Sequence, residues 1–95
     1  MEVNHLIEQL YHLIANLQSK EDVALLLDDL CTYKELEYMA QRVEAARLLL
    51  DGRTYNEVTE RVNISSATLS RVSKCVKYKE GYRKLLPRYL PKKEN

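Results

Sequence analysis

Apolar residues recur every three or four positions through most of the chain, the spacing of one face of an α-helix. The first such stripe, over residues 4–17, comprises Leu6, Ile7, Leu10, Tyr11, Ile14 and Leu17. A second stripe runs from Val23 to Leu30, and a third helix is predicted over residues 33–51. No segment shows the period of two that a half-buried strand requires. The pattern therefore predicts an all-α chain.

Residues typical of helix starts divide this pattern. Ser19, Thr32 and Thr54 each stand three positions before an acidic residue, the spacing of a capping box. Ser65 can cap a further helix. The starts predict a short fourth helix from residue 54 to 61 or 62 and a fifth over residues 65–78. Gly52 stands where a left-handed C-terminal cap is expected.

The last part of the chain is predicted to hold one more short helix. This helix covers residues 82–86, and Pro87 limits it because a proline disfavours helical backbone in the residue before it. The tail after Pro91 is expected to fray. No linker or repeat is evident, so the prediction is one domain over residues 1–95 with a tail at 87–95.

Residues 54–78 have the pattern of a helix-turn-helix, in which the second helix enters the major groove of DNA. Apolar residues at set offsets would lock the two helices, and Asn63 is expected to adopt the positive φ of the turn. The locking residues are Val58, Val62, Ile64, Leu69 and Val72. At 100° per residue, Ala67, Ser70, Arg71 and Lys74 lie on the opposite side. Such a face can approach base edges while its cations reach phosphates.

Charge is divided unequally along the 95 residues. The whole chain has 15 basic and 14 acidic side chains, for a formal net charge of +1. Residues 1–41 have a balance of −6, and residues 42–95 have a balance of +7. This division favours a polyanionic partner for the second half, although attraction between the two halves is the alternative.

Several classes of protein do not fit the composition. No apolar stretch approaches the roughly 20 residues of a membrane span, and two cysteines do not make the disulfide framework of a small secreted domain. His5 and His12 have no partners at a zinc-binding spacing, so no metal site is expected. No catalytic motif is present, so an enzyme is not expected. The predicted location is the cytoplasm.

The stripes are wide for a short chain that buries only about 60–65% of its surface. A second copy would cover them, although an ordinary monomeric bundle is the alternative.

The segment from Gln41 to Tyr78 resembles the Trp repressor superfamily, in particular the Trp-repressor-related YerC/YecD type. The match is densest at Gln41-Arg42, Gly52, Thr54-Tyr55-x-Glu57 and the string Ser66-Ala67-Thr68-Leu69-Ser70-Arg71-Val72. The segment from Leu6 to Arg42 is similar as well, so the resemblance covers about residues 5–82.

This resemblance implies an intertwined helical homodimer with two helix-turn-helix heads. Residues 1–52 would mainly form the dimer, and the heads would bind two half-sites about one DNA turn apart. The expected DNA-binding residues, from the resemblance and the helix face together, are Tyr55, Asn56, Ser65, Ser66, Ala67, Thr68, Ser70, Arg71, Lys74 and Lys77.

Arg42 and Arg71 match the two arginines that enclose tryptophan in the Trp repressor. Val72 stands where that pocket relies on glycine, and Cys75 replaces a serine that helps to line it. Tryptophan is therefore not expected as a corepressor, and no cofactor is predicted. Arg42 and Arg71 could bind another anionic or amino-acid effector, or form salt bridges with Glu44 or Glu57.

The leading hypothesis is a dimeric regulator of transcription that binds specific double-stranded DNA and that an unknown effector modulates. The alternative is a helix-turn-helix module that binds a protein of the transcription machinery. Neither hypothesis involves a membrane.

Overall fold

A computed structural model describes residues 2–90 and confirms the all-α prediction. Six helices and no strand occur within these residues. The helices are α1 (Val3–Ala15), α2 (Lys20–Leu30), α3 (Tyr33–Leu50), α4 (Tyr55–Arg61), α5 (Ser66–Tyr78) and α6 (Gly81–Tyr89).

The predicted caps form at the starts of four helices. The Ser19 hydroxyl accepts the N–H of Asp22 at 3.0 Å. Thr32 and Glu35 form a reciprocal pair of bonds, at 2.8 Å and 3.1 Å. The other two caps, at Thr54 and Ser65, precede α4 and α5. Each cap satisfies backbone N–H groups that have no partner within the helix.

Gly52 ends α3 as predicted, with φ +87°. Its N–H donates to the Leu49 carbonyl at 3.0 Å, and the Arg53 N–H donates to the Leu48 carbonyl at 3.0 Å. These two bonds form the Schellman motif, which needs a residue in the left-handed region. The motif ends α3 immediately before the helix-turn-helix.

Two local predictions were wrong. No residue other than glycine has a positive φ within residues 2–90, so Asn63 does not make the predicted left-handed turn. The chain instead leaves α4 in extended conformation at Val62 (φ −128°, ψ 132°), and the Ile64 N–H donates to the Val62 carbonyl at 2.9 Å. An extended exit changes the chain direction without left-handed backbone.

Pro87 does not limit the sixth helix, because α6 contains it and continues to Tyr89. The Leu90 N–H donates to the Leu86 carbonyl at 2.9 Å, beyond the proline, and Leu86 packs against the core. A proline biases the residue before it away from helical backbone, but tertiary packing can override that bias. The predicted fraying concerned the tail after Pro91, which lies outside the described residues.

The chain divides between Leu36 and Glu37 into two compact units. The first contains α1, α2 and the first turn of α3, and neither α1 nor α2 has a buried residue. The second contains the buried apolar cluster of Ala45, Ala46, Leu48, Val58, Val62, Leu69 and Val72. The single domain over residues 1–95 and its subdivision stay predictions.

Candidate nucleic-acid interface

Buried residues on both sides of the turn fix α4 and α5 against the end of α3. Val58 of α4 is fully buried, and Leu69 and Val72 of α5 are 1% and 2% exposed. Val62 completes the buried set, and Ile64 packs against it. All five residues predicted to lock the helix-turn-helix thus lie in or against one core, which fixes the direction in which α5 projects.

The opposite side of α5 faces solvent. Ser66, Ala67, Arg71, Lys74 and Lys77 are exposed, and Ser70 is half-buried. These residues span about 17 Å along the helix, at 1.5 Å per residue. Small side chains stand at the N-terminal end and cations towards the C-terminal end. The arrangement lets the backbone approach a surface at one end and places positive charge at the other.

Ser65 and Thr68 are engaged in capping α5. The Ser65 hydroxyl accepts the Thr68 N–H at 3.2 Å and contacts the Thr68 hydroxyl at 3.0 Å. Both side chains were predicted to contact DNA, and in this structure their hydroxyl groups bind each other. Ser65 and Thr68 therefore stabilise the N-terminal end of α5, from which its exposed side begins.

Tyr55 and Asn56 are exposed in the first turn of α4. The turn is anchored by Thr54 and Glu57, since the Thr54 hydroxyl accepts the Glu57 N–H at 3.2 Å and Glu57 accepts the Thr54 N–H at 3.1 Å. Arg53 donates to the other Glu57 oxygen at 3.1 Å. The Thr54 N–H, and then Arg53, hold the pKa of the Glu57 carboxyl below its ordinary value.

The Arg53–Glu57 salt bridge, which was not predicted, connects the chain after Gly52 to α4. Its signal in the sequence was the spacing of four between opposite charges, although Arg53 lies before the first residue of α4. Ser73 is buried in α5, which was not predicted either.

Glu44 and Glu57 do not form the salt bridges considered for Arg42 and Arg71. Arg47 binds Glu44 at 2.7 Å, and Glu57 binds Arg53. No salt bridge to Arg42 or Arg71 occurs within residues 2–90. Both arginines therefore keep their hydrogen-bond donors available to a partner.

An apolar concavity of about 420 Å³ lies between the end of α5 and α6. Cys75, Lys79, Gly81, Tyr82, Leu85 and Leu86 line it. Neither Arg42 nor Arg71 lines this concavity.

No group of three or more histidine, cysteine or acidic side chains in the described part of the chain is placed to hold a metal ion. None of its helices is both long enough and apolar enough to span a membrane.

Comparison with known families and structures agrees with this geometry. The family model of the Trp repressor protein matches residues 5–90, which include all six helices apart from the first two residues of α1. The chain belongs to the Trp repressor family. The family is one of helix-turn-helix transcription regulators and not of enzymes.

Individual relatives extend the comparison. The protein YerC of Bacillus subtilis (strain 168) is 40% identical over 72 residues, which are 76% of this chain and 69% of YerC. A crystal structure of a TrpR-like protein from Eubacterium eligens ATCC 27750 has a TM-score of 0.85 and 33% identity, covering 93% of this chain and 94% of the other. A candidate Trp repressor from Staphylococcus aureus has a TM-score of 0.83 and 29% identity, covering 93% of each chain.

Proposed function

We propose that this protein is a regulator of transcription that binds specific double-stranded DNA as a homodimer, with α5 as the recognition helix. The observation that carries the proposal is the exposed side of α5, where small polar residues precede cations on a helix fixed by buried Leu69 and Val72. A helix held in a fixed direction presents its side chains to the base edges in one defined arrangement, which sequence recognition requires.

The two ends of α5 would have different tasks. Ser66, Ala67 and Ser70 are small enough for α5 to approach base edges in the major groove. Arg71, Lys74 and Lys77 would contact phosphates, which fix register and supply affinity. Tyr55 and Asn56, exposed at the start of α4, would contact the DNA beside this helix.

The dimer is supported by the apolar surface of the first unit. Ten of the fifteen large apolar side chains that are exposed belong to residues 3–33. In α1 this surface is one stripe, in which Ile14 is 47% exposed and Leu6 is 45% exposed. Surfaces of this kind mark interaction sites in soluble proteins, and a second copy of the same chain is the occupant we propose.

The effector site we propose is at Arg42 and Arg71, neither of which forms a salt bridge within the described residues. We propose that this effector is not tryptophan. Val72 is 2% exposed, and its side chain fills space in the core beside Arg71. Addition of tryptophan should therefore leave the DNA affinity of the purified protein unchanged, whereas a stronger complex with tryptophan would contradict this part of the proposal.

Selection of genomic fragments by the purified protein, followed by salt-titrated binding to the selected duplex, tests DNA recognition. Lys74→Ala should weaken binding to every duplex and reduce the slope of log K against log salt by about 0.9 per bound protomer. Ser70→Leu should abolish the preference for the selected duplex, because its larger side chain holds α5 away from the bases. Lys20→Ala, which removes one charge from α2, is the matched control and should leave the slope unchanged.

A different function, binding to a protein of the transcription machinery, predicts another result. In that case the protein would bind no duplex even at low salt, and the Lys74→Ala and Lys20→Ala variants would behave alike. If the protein binds a duplex and Lys74→Ala leaves the slope of log K against log salt unchanged, Lys74 does not contact phosphate.

A further inference from the structure

α6 has an apolar and a basic side. Tyr82 and Leu86, which are four positions apart, pack against the core cluster. Arg83, Lys84 and Arg88 lie about 100°, 200° and 240° around the helix from Tyr82, at 100° per residue, and all three are exposed. The basic side therefore points away from the core of the second unit.

These cations continue the positive charge of α5. Residues 71–90 contain seven basic side chains and one acidic side chain, Glu80. Lys79 lies between the two helices, and α5 and α6 contact each other directly. The positive surface therefore extends from one helix to the next within the same compact unit.

The cations of α6 are not neutralised within the described residues. No salt bridge to Arg83, Lys84 or Arg88 occurs there, whereas Arg47 and Arg53 on either side of the Gly52 turn are both paired with carboxylates. The Arg88 guanidinium lies 5.9 Å from the centre of the Tyr89 ring, which leaves its N–H donors available. Unpaired arginines and lysines along one side of a helix suit a linear array of phosphates.

We propose that α6 is a second phosphate-binding element, in which Arg83, Lys84 and Arg88 contact DNA phosphates beyond those reached by α5. This inference rests on the proposed DNA binding. Contacts of this kind add affinity and fix orientation, and they carry no base preference. DNA is the polyanion favoured here, because the basic side of α6 adjoins the helix proposed to bind it.

Salt-titrated binding of the full chain to the selected duplex tests the assignment. The variants Arg83→Gln, Lys84→Gln and Arg88→Gln each remove one charge and keep a polar side chain. Each should reduce the magnitude of the slope of log K against log salt by about 0.9 per bound protomer. The triple variant should reduce it by about 2.7 per bound protomer. The ratio of affinities for selected and unrelated duplexes should stay the same. Lys20→Gln, with the same change in net charge as each single variant, is the control and should keep the wild-type slope.

The outcomes separate this inference from the proposed function. If the wild type binds DNA and the triple variant keeps its slope and affinity, α6 does not contact phosphate although DNA binding stands. If the triple variant instead loses dimer in sedimentation experiments, the basic side binds an acidic surface of a second copy, and the assignment to DNA is overturned. If the wild type binds no duplex at low salt, the proposed function itself fails.

Discussion

Single residues at the starts of helices determine how firmly the candidate interface is held. Thr54 is the clearest example, because its hydroxyl accepts the Glu57 N–H while Glu57 accepts the Thr54 N–H. The same carboxylate binds Arg53. One short segment thus joins the end of α3 to the start of α4, and each of its bonds can be removed separately.

Thr54→Ala should lower the free energy of unfolding by about 1 kcal/mol, because it removes the side-chain acceptor of the capping box. Denaturation by urea measures the change. Thr59→Ala is the control, since Thr59 lies within α4 and its hydroxyl only donates to the Asn56 carbonyl at 3.0 Å. Equal losses in the two variants would show that the Thr54 cap contributes nothing specific.

The pKa of Glu57 adds a dependence on pH. Since its pKa is lower in the folded protein, chiefly through the Thr54 N–H, the ionised carboxylate stabilises the fold. This contribution is present above the ordinary pKa of glutamate and is lost as the pH falls through the folded pKa. The stability difference between wild type and Glu57→Gln should therefore shrink on acidification. Glu60→Gln, on the same helix, is the control, and a difference that grows towards low pH would contradict the prediction.

At the scale of elements, the helices and their starts could be predicted from the sequence because their signals are local. A hydroxyl three positions before a carboxylate acts within one turn, as do the apolar spacings that bury Val58 and Leu69. The turn at Asn63 and the course of the chain through Pro87 could not be predicted in this way. Both depend on packing against residues distant in the sequence, such as the core contacts of Ile64 and Leu86.

The candidate site was predictable to a similar extent. The two sides of α5 follow from its period, and the structure has Lys74 exposed and Leu69 buried as expected. The choice of salt-bridge partners does not follow from composition. Arg47, three positions from Glu44, and Arg53, four positions from Glu57, bind the carboxylates that were considered for Arg42 and Arg71. The arginine that lies three or four positions from each carboxylate is the one that binds it.

Pro87→Ala should stabilise the protein, because an interior proline removes one hydrogen bond from the α6 ladder. The gain should be roughly 2 kcal/mol, since the cost of about 3 kcal/mol is offset by the 0.4–1 kcal/mol that proline contributes by restricting the unfolded chain. Thermal unfolding followed by circular dichroism measures it. The ring of Pro87 lines a concavity of about 200 Å³ with Leu50 and Leu90. A less stable variant would show that packing of the ring outweighs the restored bond.

At the scale of the whole molecule, the two units differ in how much of their own apolar surface they bury. The second unit contains the buried cluster around Leu48, whereas α1 and α2 have no buried residue. A stripe such as that of α1 gives little stability while it faces water, because burial of apolar surface contributes about 25 cal/mol per Å². The negative balance of residues 1–41 disfavours contact of this surface with a polyanion, which agrees with the proposal that a protein covers it.

Ile14→Glu tests whether that partner is a second copy. A carboxylate within the apolar stripe would lose its hydration in the interface without a cation to compensate it, so the dimer should dissociate. Sedimentation should then give the 11.1 kDa mass of one chain for the variant and twice that mass for the wild type. His12→Glu is the matched control, because it adds a carboxylate within one turn of Ile14, about 160° around the helix and on the side away from the stripe. DNA affinity should fall with the dimer, since one head makes half the phosphate contacts of two. A wild-type protein that sediments as one chain would exclude the dimer, and dissociation by both variants alike would mean that charge and not the stripe governs assembly.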